Sequence, residues 1–246
     1  MTGGQPVDAG SGPASTPPYV LFGRRRGRRL RPQRDRLMQT LLPQLAIPVP
    51  VVGVPLDPAG LFAERPRAVW LEIGFGAGEH LLAQARAHPE AGCIGCEAYL
   101  NGVATLVAAW HTDPVPNMRI LADDARLLLP LLQAASVERV FLLFPDPWPK
   151  LRHAGRRFIC PHTVRELARV VVPGGEVRIA TDAPAYARWA LFHMCAVGAF
   201  RWTARSPRDW RTPPPDWVET RYQKRAERAA RSPIYLSFIR AAERSG

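Results

Sequence analysis

Apolar runs and amphipathic segments alternate along the chain from Val69 to Val197. Runs such as "AVWLEIG" and "RVFLLF" are almost continuously apolar, which is typical of strands buried on both faces. The segments between them repeat apolar residues every three or four positions, which predicts helices. We therefore predict strands over 68–74, 92–98, 117–124, 139–144 and 174–182, and helices over 78–88, 99–111, 125–135, 160–171 and 183–197.

Strands that alternate with helices at this spacing predict an α/β fold with a Rossmann-like, doubly wound, mostly parallel sheet. After residue 200, "FRWTA" and "IYLSFIR" are strand candidates, and we expect them to add antiparallel strands at the C-terminal edge. Before the alternation begins, 36–47 is predicted to form a short amphipathic helix. The proline-rich stretch 48–66 is predicted to be irregular.

The N-terminal segment differs from the rest in composition. Residues 1–18 are mostly Gly, Ser, Pro and Ala, and eight arginines against one aspartate follow between 24 and 36. We predict that 1–36 form a disordered, arginine-rich tail and that 37–246 form one domain. The whole chain carries a net charge of +12 and has a sequence pI of about 10.7. Such a basic block indicates a partner that carries phosphate, although a solvated tail in an arginine-rich proteome is the alternative.

The same composition bears on compartment and metal binding. The chain has no run of 18 apolar residues and no signal-peptide pattern, so we expect a cytoplasmic protein without a membrane partner. Cys93 and Cys96 form a C-x-x-C, but no second pair follows. Positions three apart on a strand point to opposite faces, so we expect these cysteines to pack in the core and we predict no metal site.

A glycine-rich turn closes the first predicted strand. "LEIGFGAG" (71–78) contains Gly74, Gly76 and Gly78. Glycines at such a turn let a ligand approach the backbone and accept hydrogen bonds from its amide N–H groups. Their spacing is G-x-G-x-G, which differs from the G-x-G-x-x-G of dinucleotide sites. The ends of the next strands must therefore identify the ligand.

Acidic residues stand at the ends of three successive strands. Glu72 is expected within the glycine turn, where it could orient the turn or meet an ammonium group. Glu97 could accept both hydroxyls of a ribose, and Asp124 an exocyclic adenine amine. Each acid alone could be a surface charge or a helix cap, but together they indicate a nucleoside site. No basic residue stands among them to meet a pyrophosphate, so S-adenosylmethionine fits better than NAD.

The fourth strand runs into a stiffened loop, "PDPWPK". Pro145 and Pro147 fix their own φ angles and restrict the residues before them, so Asp146 is held rather than mobile. A carboxylate fixed in this way fits catalysis or recognition. Trp148 could stack on a base or pack against the protein.

These motifs together resemble one family. The chain is similar to the bacterial tRNA (guanine-N(7)-)-methyltransferases in "LEIGFGAG", "FPDPWPK" with "RHAGRRF", "IATD" and "TRYQKRAERAARSPIYLSF". The similarity extends to "FGRRRGRRLRPQR" and covers roughly residues 19–240, with "FPDPWPK" as its most specific part. It implies methyl transfer from S-adenosylmethionine to N7 of the variable-loop guanine of tRNA (position 46), which gives N7-methylguanosine and S-adenosylhomocysteine.

The resemblance also implies roles for individual residues. It implies that Asp146 is catalytic and that the cofactor contacts are Glu72, Gly74, Gly76, Glu97, Asp124 and Asp146. It implies that tRNA contacts Lys150, Arg152, Arg156, Arg157, Asp182, Thr220, Arg221, Tyr222 and Gln223. The expected partner is tRNA, and no obligatory protein partner is expected.

One position departs from the family pattern. The family has an acid at the last position of its T-x-[FY]-E run, and this chain has Gln223. A glutamine offers only one acceptor oxygen to the two donors on the guanine edge. Either Asp146 and Asp182 already hold the base, or Gln223 bonds RNA backbone or a neighbouring loop. We favour the first alternative, under which Gln223→Glu would keep or raise activity.

Three other functions compete with this interpretation. A methyltransferase acting on an exocyclic amine would carry a D/N-P-P-aromatic loop, whereas "DPWP" has tryptophan between its prolines. A catalytically silent RNA-binding module would have a broken cofactor loop, and here the glycines and acids are present. An NAD-dependent oxidoreductase would need the G-x-G-x-x-G spacing and a catalytic Tyr–Lys pair, and the sequence has neither.

Overall fold

The computed structural model of the chain describes residues 23–48 and 54–242. Of the tail predicted to be disordered over 1–36, residues 1–22 fall outside the described residues, whereas a helix already begins at Pro32 within it. The strands are β1 Ala68–Ile73, β2 Ala91–Cys96, β3 Met118–Leu121, β4 Val137–Leu143, β5 Val171–Thr181, β6 Phe200–Trp202 and β7 Ile234–Arg240. The α-helices of these residues are α1 Pro32–Leu45, α2 Glu79–Ala87, α3 Leu100–Thr112, α4 Ala125–Leu128, α5 Pro161–Val170, α6 Pro184–Ala196, α7 Arg208–Arg211 and α8 Arg221–Arg228.

The strands form one seven-stranded sheet in the order β3-β2-β1-β4-β5-β7-β6. The strands from β3 to β5 pair in parallel, whereas β7 is antiparallel to both β5 and β6. This arrangement confirms the predicted fold class and its antiparallel C-terminal edge. The strand order reverses between β1 and β4, which is where ligands bind in open α/β sheets.

Helices cover both faces of the sheet. Leu45 of α1, Leu81 of α2 and Leu106 of α3 belong to the hydrophobic core on one face. Val164 of α5 and Tyr186 of α6 belong to the core on the other face. None of the helices among 23–48 and 54–242 is both long and apolar enough to cross a membrane.

The two cysteines of β2 illustrate the alternation of faces. Cys93 packs in the core with α2 and α3, and Cys96 packs in the opposite core, as predicted for positions three apart. Burial raises the pKa of the Cys93 thiol to about 12. At neutral pH this thiol is protonated, so it acts as a core residue rather than as a nucleophile or metal ligand.

Prolines explain two differences from the predicted helices. α1 begins at Pro32 rather than at residue 36, because proline suits the first turn of a helix, where its missing N–H costs nothing. The helix predicted over 125–135 ends at Leu128 and continues only as a 3-10 turn, Leu129–Leu131. Pro130 lies in this turn, and its ring cannot continue the α-helical hydrogen-bond pattern.

Candidate functional site

A crevice opens at the carboxyl ends of β1, β2 and β4. It brings together five of the residues predicted for the site, which are Gly74, Glu97, Asp124, Asp146 and Arg156. The crevice is also lined by Ile73, Cys96, Ala98, Asp123, Ala125, Arg126, Leu142, Pro145, Trp148 and Phe158. Its position at the reversal of strand order agrees with the general location of ligands in such sheets.

The glycine turn leaves space on one side and is closely covered on the other. Gly74 has φ +72°, and a Cβ built on it would meet no atom within 4 Å. The backbone at Gly74 is therefore open to a ligand in the crevice. Gly76 has φ +60°, and a Cβ built there would lie 2.7 Å from a ring carbon of Tyr222. Glycine at position 76 therefore permits both the left-handed backbone conformation and the close approach of the Tyr222 ring.

Glu97 anchors the glycine turn from the end of β2. Its carboxylate accepts the amide N–H of Gly76 at 2.7 Å and that of Tyr99 at 2.8 Å. Burial raises the pKa of Glu97, although the amides of Tyr99, Gly76 and Ala98 act in the opposite direction. A carboxylate accepts up to four hydrogen bonds, so these oxygens retain sites for hydroxyl donors of a ligand.

Asp124 caps a helix within the crevice. It follows β3 by three residues and accepts the backbone N–H of Arg126 at 2.9 Å, as the N-cap of α4. Its second oxygen lies 3.1 Å from the Arg126 guanidinium. Next to it, Asp123 forms a bidentate pair with Arg25, with distances of 3.1 and 2.8 Å. Asp124 is therefore a helix cap, as one alternative predicted, and it also lines the crevice.

Glu72 does not lie in the glycine turn, where we had placed it. It is a residue of β1, is 3% exposed, and is absent from the lining of the crevice. Its carboxylate Oε2 lies 2.8 Å from Nδ1 of the buried His80. Because β1 continues through Ile73, the side chain of Glu72 points onto the sheet face toward α2 rather than over the strand ends. Glu72 thus joins β1 to α2, the elements before and after the glycine turn.

The loop after β4 is strained on both sides of Asp146. Phe144 and Trp148 have φ angles of +50° and +40°, which are unusual for bulky residues. Pro145 and Pro147 stand between them, and the Phe144 N–H donates to Ala180 O at 2.7 Å. Asp146 is exposed, and no hydrogen bond within 23–48 and 54–242 uses its carboxylate. The loop therefore presents a carboxylate on a fixed backbone at the edge of the crevice.

Two arginines hold this loop from inside the protein. Arg157 is 5% exposed, and its guanidinium donates to Pro147 O and Trp148 O, each at 3.0 Å. The same guanidinium lies over the ring of Trp189, 4.6 Å from its centroid. Arg126 donates to the carbonyls of Arg156 and Arg157 at 3.3 Å. We had expected Arg157 to contact RNA; its burial and its partners instead make it a support of the loop.

The basic turn that follows the loop faces outward. Lys150 and Arg152 are exposed at a 3-10 turn, Leu151–Arg156. The Arg156 guanidinium lies over the Trp148 ring, 4.9 Å from its centroid. The His153 ring packs edge-on against the same ring, with centroids 5.8 Å apart. Trp148 is therefore packed between side chains of its own loop, while Lys150 and Arg152 remain accessible to a partner.

The residues from Thr220 to Gln223 form the start of α8, a helix that the sequence pattern did not predict. Thr220 is the N-cap of this helix and accepts the backbone N–H of Gln223 at 3.3 Å. Arg221 pairs with Glu79 at the start of α2, and Tyr222 lies over Gly76. Only Arg221 and Tyr222 are exposed among the four residues of the run, since Thr220 and Gln223 are buried.

Asp182 lies beyond the end of β5 and is already paired. Its Oδ2 accepts from Arg231 Nε at 2.7 Å. It is not among the residues that line the crevice. In the described part of the chain, no group of three or more His, Cys, Asp or Glu side chains is arranged to hold a metal ion.

Comparisons with known proteins identify the relatives of this chain. The sequence model of a family described as "Putative methyltransferase" matches residues 66–235. The tRNA (guanine-N(7)-)-methyltransferase of Rhodospirillum rubrum is 50% identical over 222 residues, which cover 89% of this chain and 87% of that protein. The enzyme of the same name from Ruegeria sp. is 43% identical over 242 residues, covering 96% and 93%.

The chain belongs to the tRNA (guanine-N(7)-)-methyltransferase family. Solved structures at lower identity share its fold. The 16S rRNA methyltransferase KamB matches with a TM-score of 0.54 at 19% identity, and the match covers 72% of the present chain and 89% of KamB. A variant of the 16S rRNA (adenine(1408)-N(1))-methyltransferase from Catenulisporales acidiphilia, solved with its cosubstrate SAM, matches with a TM-score of 0.54 at 16% identity, covering 78% and 94%.

Proposed function

We propose that this protein transfers a methyl group from S-adenosylmethionine to N7 of guanine 46 in the variable loop of tRNA. The products are N7-methylguanosine and S-adenosylhomocysteine. The observation that carries this proposal is the position of Asp146. In a chain of this family, the carboxylate is held on a strained loop at the edge of the crevice that Gly74 and Glu97 line.

The residues of the crevice fit S-adenosylmethionine. Glu97 has acceptor sites for two ribose hydroxyls beyond the amides that it already holds. Asp124 and the amide of Ala125 suit an adenine edge, and the open backbone at Gly74 suits the amino-acid part. When bound, S-adenosylmethionine supplies a methyl group on a sulfonium, and the guanine N7 lone pair forms the N–C bond as the S–C bond breaks.

Asp146 acts on the guanine rather than on a leaving proton. N7 has an available lone pair, so no general base is needed before it attacks. The fixed carboxylate instead accepts N–H groups from the guanine edge and balances the positive charge that grows on the imidazole ring. Holding N7 in line with the methyl group contributes much of the remaining rate. The guanine must be turned out of its tertiary contacts to reach this position.

The exposed arginines and lysines near the crevice are suited to the tRNA backbone. Lys150 and Arg152 lie on the turn after the Asp146 loop. Arg25 anchors the N-terminal arginine segment to Asp123 at the crevice, and the Gly27 amide donates to Asn101 at 2.8 Å. The segment is therefore fixed beside the cofactor acids, and its other arginines extend a basic surface from there. Such a surface binds phosphates with a strong salt dependence.

Replacing Glu97 by alanine should weaken S-adenosylmethionine binding by roughly 1.5–3 kcal/mol, the range for hydrogen bonds to a charged group. The substitution removes the ribose acceptors and also releases the Gly76 amide. Isothermal calorimetry of the protein without tRNA measures the effect. Glu90→Ala is the control, because Glu90 pairs with His88 outside the crevice. Unchanged affinity in Glu97→Ala would show that Glu97 does not bind the ribose.

A charge-only variant tests the N-terminal arginines. Changing Arg24, Arg26, Arg28 and Arg29 to glutamine keeps the Arg25–Asp123 pair. We expect weaker tRNA binding and a flatter dependence of log Kd on log salt, by about 0.7–0.9 per lost phosphate contact. Deleting 1–36 should flatten it at least as much, and it also removes the first turn of α1. An identical slope in the parent and both variants would assign these arginines to a merely solvated segment.

The proposed reaction is tested by incubating the protein with labelled S-adenosylmethionine and unmodified tRNA, followed by nucleoside mass spectrometry. We expect the label in N7-methylguanosine. Label in N2-methylguanosine or N6-methyladenosine would instead favour an exocyclic-amine methyltransferase. Absence of transfer in the presence of measurable tRNA binding would favour a silent RNA-binding module.

A further inference from the structure

Gln223, where this chain departs from the family pattern, forms hydrogen bonds to neighbours within the protein through both polar atoms of its side-chain amide. It is 8% exposed, and its Oε1 accepts the indole N–H of Trp217 at 2.5 Å. Its Nε2 donates to Oε1 of Glu227 at 2.9 Å. The amide thus uses its acceptor on one neighbour and its donor on another, which is an arrangement that a carboxylate cannot reproduce.

Glu227 stands one helical turn after Gln223 on the same face of α8. A glutamate at 223 would still accept from Trp217, but it would bring a second carboxylate to within hydrogen-bond distance of Glu227. Two carboxylates at that distance repel each other. Glu227 is exposed to water, whereas the side chain at 223 is buried and is screened less. Gln223 and Glu227 therefore behave as a matched pair, in which the amide at one position suits the acid at the other.

This pair fixes the part of α8 that covers the glycine turn. Tyr222, the residue before Gln223, covers the glycine turn at Gly76. Burial raises the pKa of Tyr222, and the nearby Glu97 carboxylate adds to this effect. Trp217 packs edge-on against Tyr235 of β7, with ring centroids 4.8 Å apart. The Gln223 side chain thus joins the start of α8 to the sheet through Trp217.

A second connection joins the same segment to β1, the strand that precedes the glycine turn. The backbone carbonyl of Asp216, next to Trp217, accepts from Gln84 Nε2 at 3.4 Å. Gln84 lies 3.3 Å from the ring of His80, which in turn contacts Glu72 of β1. Buried hydrogen-bonded side chains therefore connect Glu72 with the segment that Gln223 anchors. The contacts of this segment thus extend to β1, the strand that precedes the glycine turn.

We propose that Gln223 is a positioning residue and does not contact guanine. Together with Glu227 it holds α8 so that Tyr222 covers the glycine turn and Arg221 reaches Glu79. This inference deepens the proposed function, on which it rests for its activity readout. It also reverses the expectation that Gln223→Glu would keep or raise activity.

The test is a cycle of three variants: Gln223→Glu, Glu227→Gln, and both together. We expect Gln223→Glu to lower kcat/KM for tRNA about tenfold or more, since neighbouring groups couple at this level. We expect Glu227→Gln to change it less than about threefold, because two amides can still bond. The double variant should return to within about threefold of the parent, because the amide and the acid have exchanged places. Glu219→Gln is the control, since Glu219 pairs with Lys224 at the surface and forms no hydrogen bond or ion pair with Gln223 or Glu227 among the described residues.

Melting curves of every variant set an assay temperature at which all are folded. If Gln223→Glu alone fails to fold while the double variant folds and turns over, the matched pair is supported as well. Gln223→Glu with parental or higher activity would overturn the proposal, as would a double variant no better than Gln223→Glu. The parent must first give N7-methylguanosine. A parent without that product contradicts the proposed function, and the melting curves alone then decide the matched pair.

Discussion

Asp146→Asn will slow methyl transfer to tRNA by about 100-fold or more, while S-adenosylmethionine binds within about threefold of the parent. The variant keeps the shape of the side chain, and the prolines and Arg157 still hold the loop. It loses one acceptor and the negative charge that balances the forming imidazolium. Single-turnover rates at saturating tRNA measure the chemical step, and calorimetry measures the cofactor affinity.

The control for this prediction is Asp113→Asn. Asp113 pairs with Arg86 at the surface after α3 and does not line the crevice. Its variant should transfer methyl groups at the parental rate. If Asp146→Asn matches the parent in single turnover, the fixed carboxylate has no part in the chemistry. If it loses cofactor affinity in proportion to the rate, Asp146 belongs to the cofactor site alone.

Arg157→Met will lower both the free energy of unfolding and the rate of methyl transfer. It removes two charge-assisted hydrogen bonds to the carbonyls of Pro147 and Trp148. Each such bond contributes about 1.5–3 kcal/mol, and the carbonyls lose their partner inside the protein. Without this support, the strained loop relaxes and Asp146 is no longer fixed, so we expect a loss of roughly tenfold or more in single turnover. Urea unfolding and rapid-quench assays provide the two measurements.

Arg152→Met is the matched control, because Arg152 lies exposed on the turn that ends beside Arg157. It should leave the urea midpoint unchanged and weaken tRNA binding. The two variants therefore separate support of the loop from contact with RNA. If Arg157→Met is as stable as the parent and keeps its chemical rate but binds tRNA more weakly, Arg157 contacts RNA instead of supporting the loop.

The central strands could be predicted because burial on both faces leaves a direct mark on the sequence. β4 is apolar from Val140 through Leu143, and the glycines after Ile73 mark the turn that follows β1. α8 was missed because its residues are mostly charged and suggest no buried face. Thr220, followed three residues later by Gln223, resembles the capping-box signature and could have indicated its start.

Partners that lie far apart in the sequence could not be predicted. Nothing near Glu72 in the sequence shows that its carboxylate faces His80 rather than the turn, because that depends on how α2 packs on β1. In the sequence, Arg157 is one of several basic residues after Lys150, and only the fold shows that it is buried beneath the loop. The restricted backbone on both sides of Asp146 could be predicted, since a proline fixes its own φ angle. The positive φ angles of Phe144 and Trp148 could not, because each precedes a proline, and this position favours extended backbone.

The most direct test of the central claim compares two transcripts of one tRNA, with guanine or adenine at position 46. Both are incubated with the protein and labelled S-adenosylmethionine, and the nucleosides are then separated. We predict one N7-methylguanosine per guanine-46 transcript and background label in the adenine-46 transcript. Equal labelling of the two transcripts, or label in any nucleoside other than N7-methylguanosine, would contradict the proposed function.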